Sequence, residues 1–276
     1  MKQIVVITGL AQGMGRETAK LLAKSGDVVA GFDVDAEGIK SLEAELKQLG
    51  CDPLLIPLSV TDRPGILKFR DEVLKKYGQV DVVLSNVGIG FFGPFEEVNL
   101  EDSLKCMDIN VIGTAAVFQA FLPSMRKRGS GKLLAVSSLV GQVPFPFESI
   151  YSASKFAVEG LVQSMKYEVE PFGIKVALIQ PAQVSTSFAA KIHRLPSEDS
   201  PYRERVRRFI EKDEELIKTA PTPIKAAKEI VKIVKMKNPP LFNQIESKSA
   251  ILLTLNRILP TRVKDEILLN YMDIKP

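Results

Sequence analysis

The sequence predicts an α/β protein: one domain in which helices cover both faces of a doubly wound parallel sheet, followed by a helical C-terminal extension. Two observations support this fold class. Short apolar segments alternate with amphipathic ones over most of the chain, and the first strand runs into a glycine-rich turn that opens a helix. With 276 residues, 45% of them hydrophobic, the chain can bury a large core within one domain.

The first predicted strand, Gln3–Thr8, leads into a turn in which Gly9, Gly13 and Gly15 are spaced G-x-x-x-G-x-G, with Met14 between the last two. Such glycines permit a tight turn, the close approach of a pyrophosphate, and the packing of helix on strand. The unpaired N–H groups at the start of the helix suit a phosphate. A glycine-rich turn alone is also typical of ordinary loops, but the flanking strand and helix favour a dinucleotide site.

The second predicted strand, VVAGFD, ends at Asp33, about 20 residues beyond the glycine turn. A carboxylate at this place can bind both hydroxyls of a ribose and repels a 2′-phosphate. No Lys or Arg occupies position 34, and Gln12 rather than a base precedes Gly13. The sequence therefore favours NAD over NADP, and the alternative is that Asp33 is only a surface carboxylate.

Helices and strands continue to alternate after this point. The predicted segments are a helix at Ala36–Leu49, a strand at Leu54–Ser59, a helix at Asp62–Tyr77, a strand at Val80–Asn86 and a helix at Leu100–Arg128. Ligands of such sheets bind over the carboxyl ends of the strands, which makes Ser59, Val60, Asn86 and Gly88 candidate cofactor contacts. Asn110 lies inside the long helix, where it could be a structural amide, hold a water or bend the helix.

The stretch around residues 132–155 carries the catalytic candidates. KLLAVSS is an apolar strand that ends at Ser138, and apolar residues at helical spacing predict a helix from Ser152 onward. Tyr151 and Lys155 are four residues apart at the start of this helix and project from the same side. We expect the ammonium to lower the pKa of Tyr151 from about 10 toward a range useful for acid–base work. Ser138 would then hold a substrate oxygen while Tyr151 transfers a proton.

Chance is the alternative for this spacing. Tyrosine and lysine four residues apart occur often in a chain this rich in lysine, and Tyr271 and Lys275 repeat the pattern near the C-terminus. Ile258, not a serine, lies thirteen residues before that second tyrosine, and no strand precedes it. The Ser138 spacing and the cofactor signals therefore favour the first copy.

Beyond residue 170 the elements are a strand ending at Gln180, a charged helical stretch at Ser187–Lys218, an amphipathic helix at Pro223–Lys235 and a short last strand within Asn238–Glu246. The final segment, Ala250–Met272, alternates leucine-rich and basic pieces. Packing as a lid, contact with a partner helix, and contact with a membrane surface are the alternatives for it, and the first two are favoured.

Charge and cysteine content argue against several classes of protein. From Lys191 onward the chain has 18 basic and 12 acidic residues, but no aromatic pattern interleaves them, so a nucleic-acid partner is not expected. Cys51 and Cys106 are isolated and His193 is the single histidine, which argues against a metal site and a disulfide framework. Without a signal peptide or an apolar run of about 18 residues, we expect a cytoplasmic location.

Taken together, these residues resemble the short-chain dehydrogenase/reductase family over about residues 3–190. The matching motifs are Thr8-Gly9-x-x-x-Gly13-x-Gly15, Asn86-x-Gly88, Asn110, Ser138, Tyr151-x-x-x-Lys155 and Pro181-x-x-Val184-x-Thr186. The resemblance implies a single Rossmann-type domain. Its core would cover residues 1–186 and 223–246, with a substrate lid at 187–222 and an amphipathic extension at 247–276.

By that resemblance, Ser138 orients the substrate oxygen, Tyr151 transfers the proton, and Lys155 lowers the pKa of the tyrosine and holds the nicotinamide ribose. Asn110 would anchor a water relay to Lys155. The helices that contain Asn110 and Tyr151 usually pair between subunits in this family, which implies a homodimer or homotetramer.

The resemblance also implies that Val184 and Thr186 fix the nicotinamide carboxamide. Two departures from the family pattern concern the cofactor. Ala182 replaces the glycine that usually follows Pro181, and Ser59 stands where an aspartate commonly reads the adenine amino group. Adenine recognition would then rest on the shorter hydroxyl or on the backbone of Val60.

The likeness extends to the branch with 17-beta-hydroxysteroid and retinol dehydrogenases, through GIGFFGPFE, QAFLPSMRKRGSGKLL and IYSASKFAVEGL. Those enzymes act on bulky apolar alcohols and ketones. Candidate walls of an apolar substrate pocket are Val143, Pro144, Phe145, Phe147 and Phe188, with Phe91 and Phe92 opposite. Ordinary core packing is the alternative for the last two.

The sequence thus predicts an NAD-dependent oxidoreductase that interconverts a secondary alcohol and its ketone on a steroid-, retinoid- or lipid-like substrate. Two alternatives stay open. One is a binding protein that senses the dinucleotide without chemistry, and the other is an NADP-linked acyl-ketone reductase.

Overall fold

Strands and helices alternate through the residues that the computed structural model describes, which are 2–186, 188, 196–245, 253, 256 and 258–275. The strands are β1 (Ile4–Thr8), β2 (Val28–Asp33), β3 (Leu54–Pro57), β4 (Val82–Ser85), β5 (Gly131–Val136), β6 (Ile174–Gln180) and β7 (Phe242–Gln244). The helices are α1 (Gly13–Lys24), α2 (Ala36–Gln48), α3 (Arg63–Tyr77), α4 (Leu100–Met107), α5 (Gly113–Arg128), α6 (Ser149–Val169), α7 (Arg203–Thr219), α8 (Pro223–Lys235) and α9 (Thr261–Tyr271).

The strands form one parallel sheet in the order β3-β2-β1-β4-β5-β6-β7. The chain starts in the middle, runs outward to β3, returns to place β4 beside β1, and then runs outward to β7. This reversal of strand order between β1 and β4 opens a crevice at the carboxyl ends of the strands. The predicted doubly wound α/β fold is confirmed.

Each face of the sheet is covered by its own layer of helices, because successive strand residues point to opposite faces. On one face, Leu22 of α1, Leu42 of α2 and Ile230 of α8 pack on the sheet. On the other face, α3, α5 and α6 supply a second buried cluster that includes Phe69 and Phe121. Since both faces are covered, the strands read as continuous apolar runs.

The predicted boundaries agree closely with the structure at most elements. The strand that ends at Gln180 and the helix Pro223–Lys235 lie as predicted, whereas the fourth strand is shorter than Val80–Asn86. Of the helical stretch predicted at Ser187–Lys218, residues 203–218 lie in α7, whereas the prediction is wrong for residues 196–202, which contain two prolines and form turns. Residues 187 and 189–195, which include His193, lie outside the described residues, as do 246–252 at the front of the predicted C-terminal extension.

The long helix predicted at Leu100–Arg128 is present, with a π-helical turn at Asp108–Ile112 between α4 and α5. By length and composition alone this stretch could cross a membrane, with a mean hydropathy of 1.3 over its most apolar window. Phe118 and Phe121 are nevertheless buried against the sheet. The apolar character of this helix is therefore that of a core helix.

A third apolar cluster lies apart from the two sheet layers. It joins Phe92, Tyr151 and neighbouring loop residues to Phe209 of α7 and to Met272 and Ile274 at the end of the chain. The rings of Phe92 and Phe209 are 6.1 Å apart in an edge-to-face arrangement. The C-terminal segment thus packs onto the same cluster as Tyr151.

Candidate active site

A cavity of about 1610 Å³ extends along the crevice at the carboxyl ends of the strands. Backbone and polar side chains from β1, β2 and β4 border one part of it, which we call the cofactor half. Apolar side chains from the third cluster border the other part, which we call the substrate half. Ser138, Tyr151 and Lys155 lie on its wall as well.

The glycine turn forms one end of the cofactor half. Gly9 and Gly13 have φ angles of +68° and +59°, a conformation that other residues rarely adopt. Gly9, Gly13 and Met14 border the cavity. Gly15 does not border it: a Cβ there would lie 2.3 Å from the Gly9 carbonyl oxygen. Gly15 thus makes a packing contact beneath the turn, and its contact with the cofactor stays a prediction.

Asn86 holds the turn from the neighbouring strand. Its side-chain Nδ2 donates to the Gly9 carbonyl at 2.8 Å, and its backbone N–H donates to Thr8 Oγ1 at 3.1 Å. Thr186, on the loop after β6, lies close to Gly13, since a Cβ on that glycine would be 3.7 Å from the threonine methyl group. Val184, whose carbonyl accepts from the Thr186 N–H, also borders the cavity.

Asp33 lies at the end of β2 with its carboxylate turned back toward the glycine turn. Oδ2 accepts a hydrogen bond from the Ala11 N–H at 3.0 Å, and Oδ1 accepts one from the Asp35 N–H at 3.1 Å. The nearby Arg16 guanidinium is held by Glu45 at 2.6 Å and by the Ala11 carbonyl at 2.9 Å. Its charge is thus directed toward α2.

Ser59, Val60 and Gly88 also border the cavity, as predicted. The Ser59 hydroxyl shares a hydrogen bond with the Thr61 hydroxyl at 2.7 Å. Gly88 leaves room for the lysine, because a Cβ at this position would lie 3.2 Å from Lys155 Nζ.

The three catalytic candidates meet where β5 ends and α6 begins. Ser138 and Tyr151 both border the cavity, and the Ser138 hydroxyl lies close enough to lower the pKa of Tyr151. Lys155 Nζ donates to the Val136 carbonyl at 3.0 Å and lies 5.7 Å from the centre of the Tyr151 ring. All three side chains are more than nine-tenths buried.

Burial dominates the electrostatics of this group. It raises the pKa of Tyr151 above its ordinary value, as does the charge of Glu148, while the Ser138 hydroxyl acts in the opposite direction. Burial also lowers the pKa of Lys155 to about 8. The expectation that Lys155 makes Tyr151 more acidic is therefore wrong for this structure, because removing a phenolate from water costs more than the neighbouring ammonium returns.

Asn110 lies behind the cavity wall in the π-helical turn. Its Oδ1 accepts from the Ile89 N–H at 2.8 Å, and its Nδ2 donates to the Ile89 carbonyl at 2.8 Å and to Ser154 Oγ at 2.9 Å. The local distortion considered from the sequence is present, and the amide connects the loop after β4 to α6. The water relay to Lys155 stays a prediction.

The structure also contains a buried polar network that the sequence motifs did not predict. Glu159 of α6 accepts hydrogen bonds from Gln180 at 2.6 Å, Ser137 at 2.9 Å and Gln142 at 3.1 Å. Burial raises the pKa of Glu159, and these three donors lower it. The network joins α6 to the ends of β5 and β6 beside Ser138. The sequence does contain an indication of this network: Glu159 lies one helical turn after Lys155, on a helix face that is otherwise buried.

The substrate half has the predicted apolar walls with one exception. Val143, Phe145 and Phe188 border the cavity, and so do Pro144, Phe91 and Phe92. Phe147 does not: its ring packs edge-to-face on Phe209 at 5.6 Å, and Arg205 lies over it. Its φ angle is +62°, a conformation that is rare for residues other than glycine and that a sequence pattern does not reveal.

Other wall residues come from parts of the chain that no motif marked. Asp213 and Leu216 of α7 and Leu268 and Tyr271 of α9 border the substrate half, and Glu148 borders it just before α6. An isolated acid inside the apolar run PFPFESI was the signal for Glu148. The amphipathic pattern of α7 predicted a helix with one buried face, but it did not show that this face would border the cavity.

The cofactor half fits a nicotinamide dinucleotide. Its turn has no side chain at Gly9 and Gly13, the start of α1 offers free N–H groups to a pyrophosphate, and the Asp33 carboxylate can accept hydrogen bonds from a ribose. A dinucleotide in this half would end beside Tyr151, where a proton donor or acceptor can serve a carbon that exchanges a hydride.

Residues 3–195 match the family model described as short chain dehydrogenase. A 3-ketodihydrosphingosine reductase from Bacteroides thetaiotaomicron is 33% identical over 248 residues, which cover 88% of this chain and 87% of the relative. The 17-beta-hydroxysteroid dehydrogenase type 1 of Homo sapiens is 35% identical over 206 residues, which cover 71% of this chain but only 61% of the relative.

Among solved structures, a short-chain dehydrogenase from Streptomyces avermitilis superposes with a TM-score of 0.80 at 30% identity. The match covers 99% of this chain and 96% of that one. The likeness therefore includes α7 to α9 as well as the sheet.

Proposed function

Because the chain belongs to the short-chain dehydrogenase/reductase family, whose members are nicotinamide-dependent oxidoreductases acting on CH–OH and keto groups, we propose that it transfers a hydride between NAD(H) and a secondary alcohol or its ketone on a hydrophobic substrate. The observation that carries this proposal is the position of Ser138, Tyr151 and Lys155 on the cavity wall, where the cofactor half meets the apolar substrate half.

In the reductive direction, Ser138 and Tyr151 hold the ketone oxygen by hydrogen bonds. A nicotinamide held in the cofactor half would supply the hydride for the carbonyl carbon. Tyr151 donates its hydroxyl proton to the oxygen that gains negative charge, and the alcohol forms. Lys155, held by the Val136 carbonyl, places a positive charge over the ring and stabilises the resulting phenolate. The oxidative direction reverses each step.

The preference for NAD rests on the residues around Asp33. Its carboxylate lies beside the turn through its bond to the Ala11 N–H. Arg16, a cation near the turn, is bound to Glu45 and so offers little to a 2′-phosphate. Val34, directly after Asp33, is 72% exposed and uncharged. A phosphate on the ribose would therefore meet an anion.

The apolar walls support a lipid-, steroid- or retinoid-like substrate. Phe92 and Phe188 stack near Tyr151, with ring centres 6.3 Å and 5.8 Å from its own. Two relatives carry names that fit this class, one a 3-ketodihydrosphingosine reductase and the other a 17-beta-hydroxysteroid dehydrogenase.

The proposal is tested by following NADH and NADPH absorbance with a panel of long-chain ketones, steroids and retinoids. We expect turnover with NADH for at least one apolar ketone. Tight NADH binding without turnover across the panel would instead favour a dinucleotide-sensing protein.

The catalytic assignment is tested by Tyr151→Phe. We expect kcat to fall by about 10²–10⁴-fold, because the proton donor is lost. NADH binding, measured by fluorescence, should change little. The matched control is Tyr167→Phe on the same helix, where the ring is 77% exposed. Normal turnover by Tyr151→Phe would contradict the assignment.

We also propose that the protein forms a homodimer or homotetramer through the helices that contain Asn110 and Tyr151. Leu104 and Ile112 on the first of these are 71% and 53% exposed, and Phe156 on the second is 43% exposed. Light scattering on the purified protein tests this. A cytoplasmic location and a membrane contact of the C-terminal segment stay predictions, which cell fractionation would check.

A further inference from the structure

Glu159 is a buried acid that the proposed hydride and proton transfer does not use. It is 3% exposed and lies on α6 one turn after Lys155. Its Oε1 accepts from Gln180 Nε2 at 2.6 Å and from Ser137 Oγ at 2.9 Å, and its Oε2 accepts from Gln142 Nε2 at 3.1 Å. Each oxygen thus accepts from an amide, which suits the ionised acid, because a protonated carboxyl must also donate.

The surroundings of this carboxyl leave it little freedom to move. Gln180 is fully buried, and its Oε1 accepts from Gln244 Nε2 at 2.9 Å, so its amide is fixed between β7 and α6. A Cβ on Gly141 would lie 2.6 Å from Ser137 Oγ and 3.0 Å from Glu159 Oε1, so the loop after β5 packs closely on the pair. A change at Glu159 therefore acts on Ser137 and on this loop.

Helix α6 holds the end of β5 at two consecutive residues. Lys155 Nζ donates to the Val136 carbonyl at 3.0 Å, and one turn later Glu159 accepts from the Ser137 hydroxyl at 2.9 Å. The next residue is Ser138, which borders the cavity, whereas Glu159 does not. Because the backbone joins Ser137 directly to Ser138, the contact with Glu159 supports the position of the Ser138 hydroxyl.

The charges around Lys155 involve the same carboxylate. Burial lowers the pKa of Lys155, and Cys106 of α4 and Glu159 act in the opposite direction. Burial raises the pKa of Cys106 and of Tyr151 above their ordinary values, so both are uncharged near pH 7. On the β5 side, the group that faces Lys155 is the neutral Val136 carbonyl. Among the described residues, the negative charge that acts on this lysine near pH 7 is therefore that of Glu159, and the lysine acts on Glu159 in return.

We propose that Glu159 is a positioning residue for the reaction, acting through Ser137 and Lys155. Through Ser137 it holds the Ser138 hydroxyl at the cavity wall. Through its negative charge it keeps the proton on Lys155, whose ammonium stabilises the phenolate. This inference rests on the proposed function and adds to it a residue that lies outside the cavity.

The first experiment follows the free energy of urea unfolding from pH 6.5 to 9.5 in the protein without cofactor. The contribution of Lys155 is the difference between each protein and the same protein with Lys155→Met. In the unchanged protein this contribution should rise from about pH 8 upward, because the unfolded chain there binds more protons than the folded one. In Glu159→Gln the rise should begin about one pH unit lower, because Lys155 gives up its proton more readily once the negative charge is gone.

The matched control is Glu168→Gln, at an exposed position of the same helix. It removes a carboxylate without touching the buried network, and it should leave the unfolding curve and the activity unchanged.

The second experiment measures the pH profile of kcat/KM for ketone reduction with NADH. The profile should fall as Lys155 loses its proton, because the phenolate of Tyr151 is then no longer stabilised. In Glu159→Gln the midpoint of this fall should move about one pH unit lower, and kcat below it should drop about tenfold, because Ser138 loses its support. A residue that served only to stabilise the fold would lower the free energy of unfolding and leave the midpoint in place.

Two further variants separate the charge from the contact. Ser137→Ala removes the hydroxyl but not the carboxylate, so kcat should fall while the midpoint stays in place. The pair Gln142→Glu with Glu159→Gln exchanges donor and acceptor, which keeps their hydrogen bond and moves the charge from α6 to the loop. This double variant serves as the test if Glu159→Gln alone does not fold, and its midpoint should also lie at lower pH.

The outcomes separate this inference from the proposed function. If the unfolding curves shift as expected but no ketone is reduced, the action of Glu159 on Lys155 is supported and the proposed function fails. If ketones are reduced but neither Glu159→Gln nor the double variant moves the midpoint or the unfolding curve, the role of Glu159 is overturned and the proposed function stands.

Discussion

The two halves of the cavity are built in different ways. In the cofactor half, the main groups are backbone atoms held by short-range contacts between adjacent strands, such as the bond from Asn86 of the loop after β4 to Gly9 after β1. In the substrate half, the walls are side chains from loops, α7 and the C-terminal helix, which meet in the third cluster. The first half rests directly on the sheet, and the second rests on side-chain packing above it.

Backbone geometry therefore determines the shape of the cofactor half, and side-chain volume determines the shape of the substrate half. Substitutions in the cofactor half should act through close backbone contacts and single charges. Those in the substrate half should act through packing, with consequences for substrate rather than for cofactor. Three substitutions test whether the two halves respond so differently, and a fourth prediction concerns the buried lysine beside them.

The largest expected effect is for Phe209→Ala in α7. This ring is fully buried between Phe92 and Phe147. Its loss should lower the free energy of unfolding by about 3–5 kcal/mol and raise the KM for the ketone, while the Kd for NADH changes little. Urea unfolding and NADH fluorescence measure these quantities. Phe95→Ala, at a 71% exposed site, is the control with an expected change within about 0.5 kcal/mol. An equal loss of NADH affinity would show that the halves are not separate.

Next is Gly15→Ala in the cofactor half. A Cβ here would meet the Gly9 carbonyl oxygen at 2.3 Å, so the turn must shift at a cost of roughly 1–3 kcal/mol, and NADH binding should weaken. Gly160→Ala is the matched control, because a Cβ at this α6 position meets no heavy atom within 4 Å. That change should stabilise the protein by about 0.5–1 kcal/mol. Thermal unfolding compares the pair, and equal behaviour would contradict the close-contact account.

A smaller effect is expected for Asp33→Asn. The amide keeps an acceptor for the Ala11 N–H but removes the charge that would face a 2′-phosphate. The ratio of kcat/KM for NADPH to that for NADH should rise about tenfold, which corresponds to roughly 1.4 kcal/mol. Asp35→Asn, at the N-cap of α2, is the control and should shift the ratio much less. A ratio unchanged by Asp33→Asn would remove the basis for preferring NAD.

The smallest effect concerns pH and the buried Lys155. Its pKa in the folded protein is about 8, against an ordinary 10.5, so between these values the unfolded chain binds more protons than the folded one. The free energy of unfolding should therefore rise from about pH 8 upward, by at most about 1.4 kcal/mol per pH unit from this residue. Burial also lowers the pKa of Lys132, which adds in the same direction.

Urea unfolding from pH 8 to 9.5 measures this slope. Lys155→Met should reduce it, and Lys166→Met, farther along α6 and partly exposed, should not. The range stops below pH 10 because burial raises the pKa of Tyr151 and Tyr77, and their titration in the unfolded chain opposes the rise. An unchanged slope in Lys155→Met would mean that the buried lysine titrates as it does in water.

Most of the fold could be predicted from the sequence because its strands are buried on both faces and its helices are amphipathic. The glycine turn, Asp33 and the Ser138–Tyr151 pair could be located because each follows a strand end, where a parallel sheet places ligands. The packing of Phe147 against Arg205 and Phe209 could not be predicted, because these residues lie far from it in the sequence.

The direction of the pKa shift of Tyr151 and the residues of the outer wall of the substrate half could not be predicted from the sequence either. The direction in which the pKa of Tyr151 shifts depends on how completely the ring is buried, which spacing does not reveal. Asp213 and Leu268 reach the cavity through tertiary contacts between segments far apart in the chain. Such contacts leave no local pattern, and no motif identified these residues.

The outer wall of the substrate half includes α9, since its Leu268 and Tyr271 border the cavity. In the described part of the chain, α9 lies outside the crossovers that join the seven strands, so exchanges of its side chains leave those connections intact. A dehydrogenase arranged in this way can acquire a different substrate range through changes in α9, while the residues for hydride and proton transfer lie on the sheet and α6.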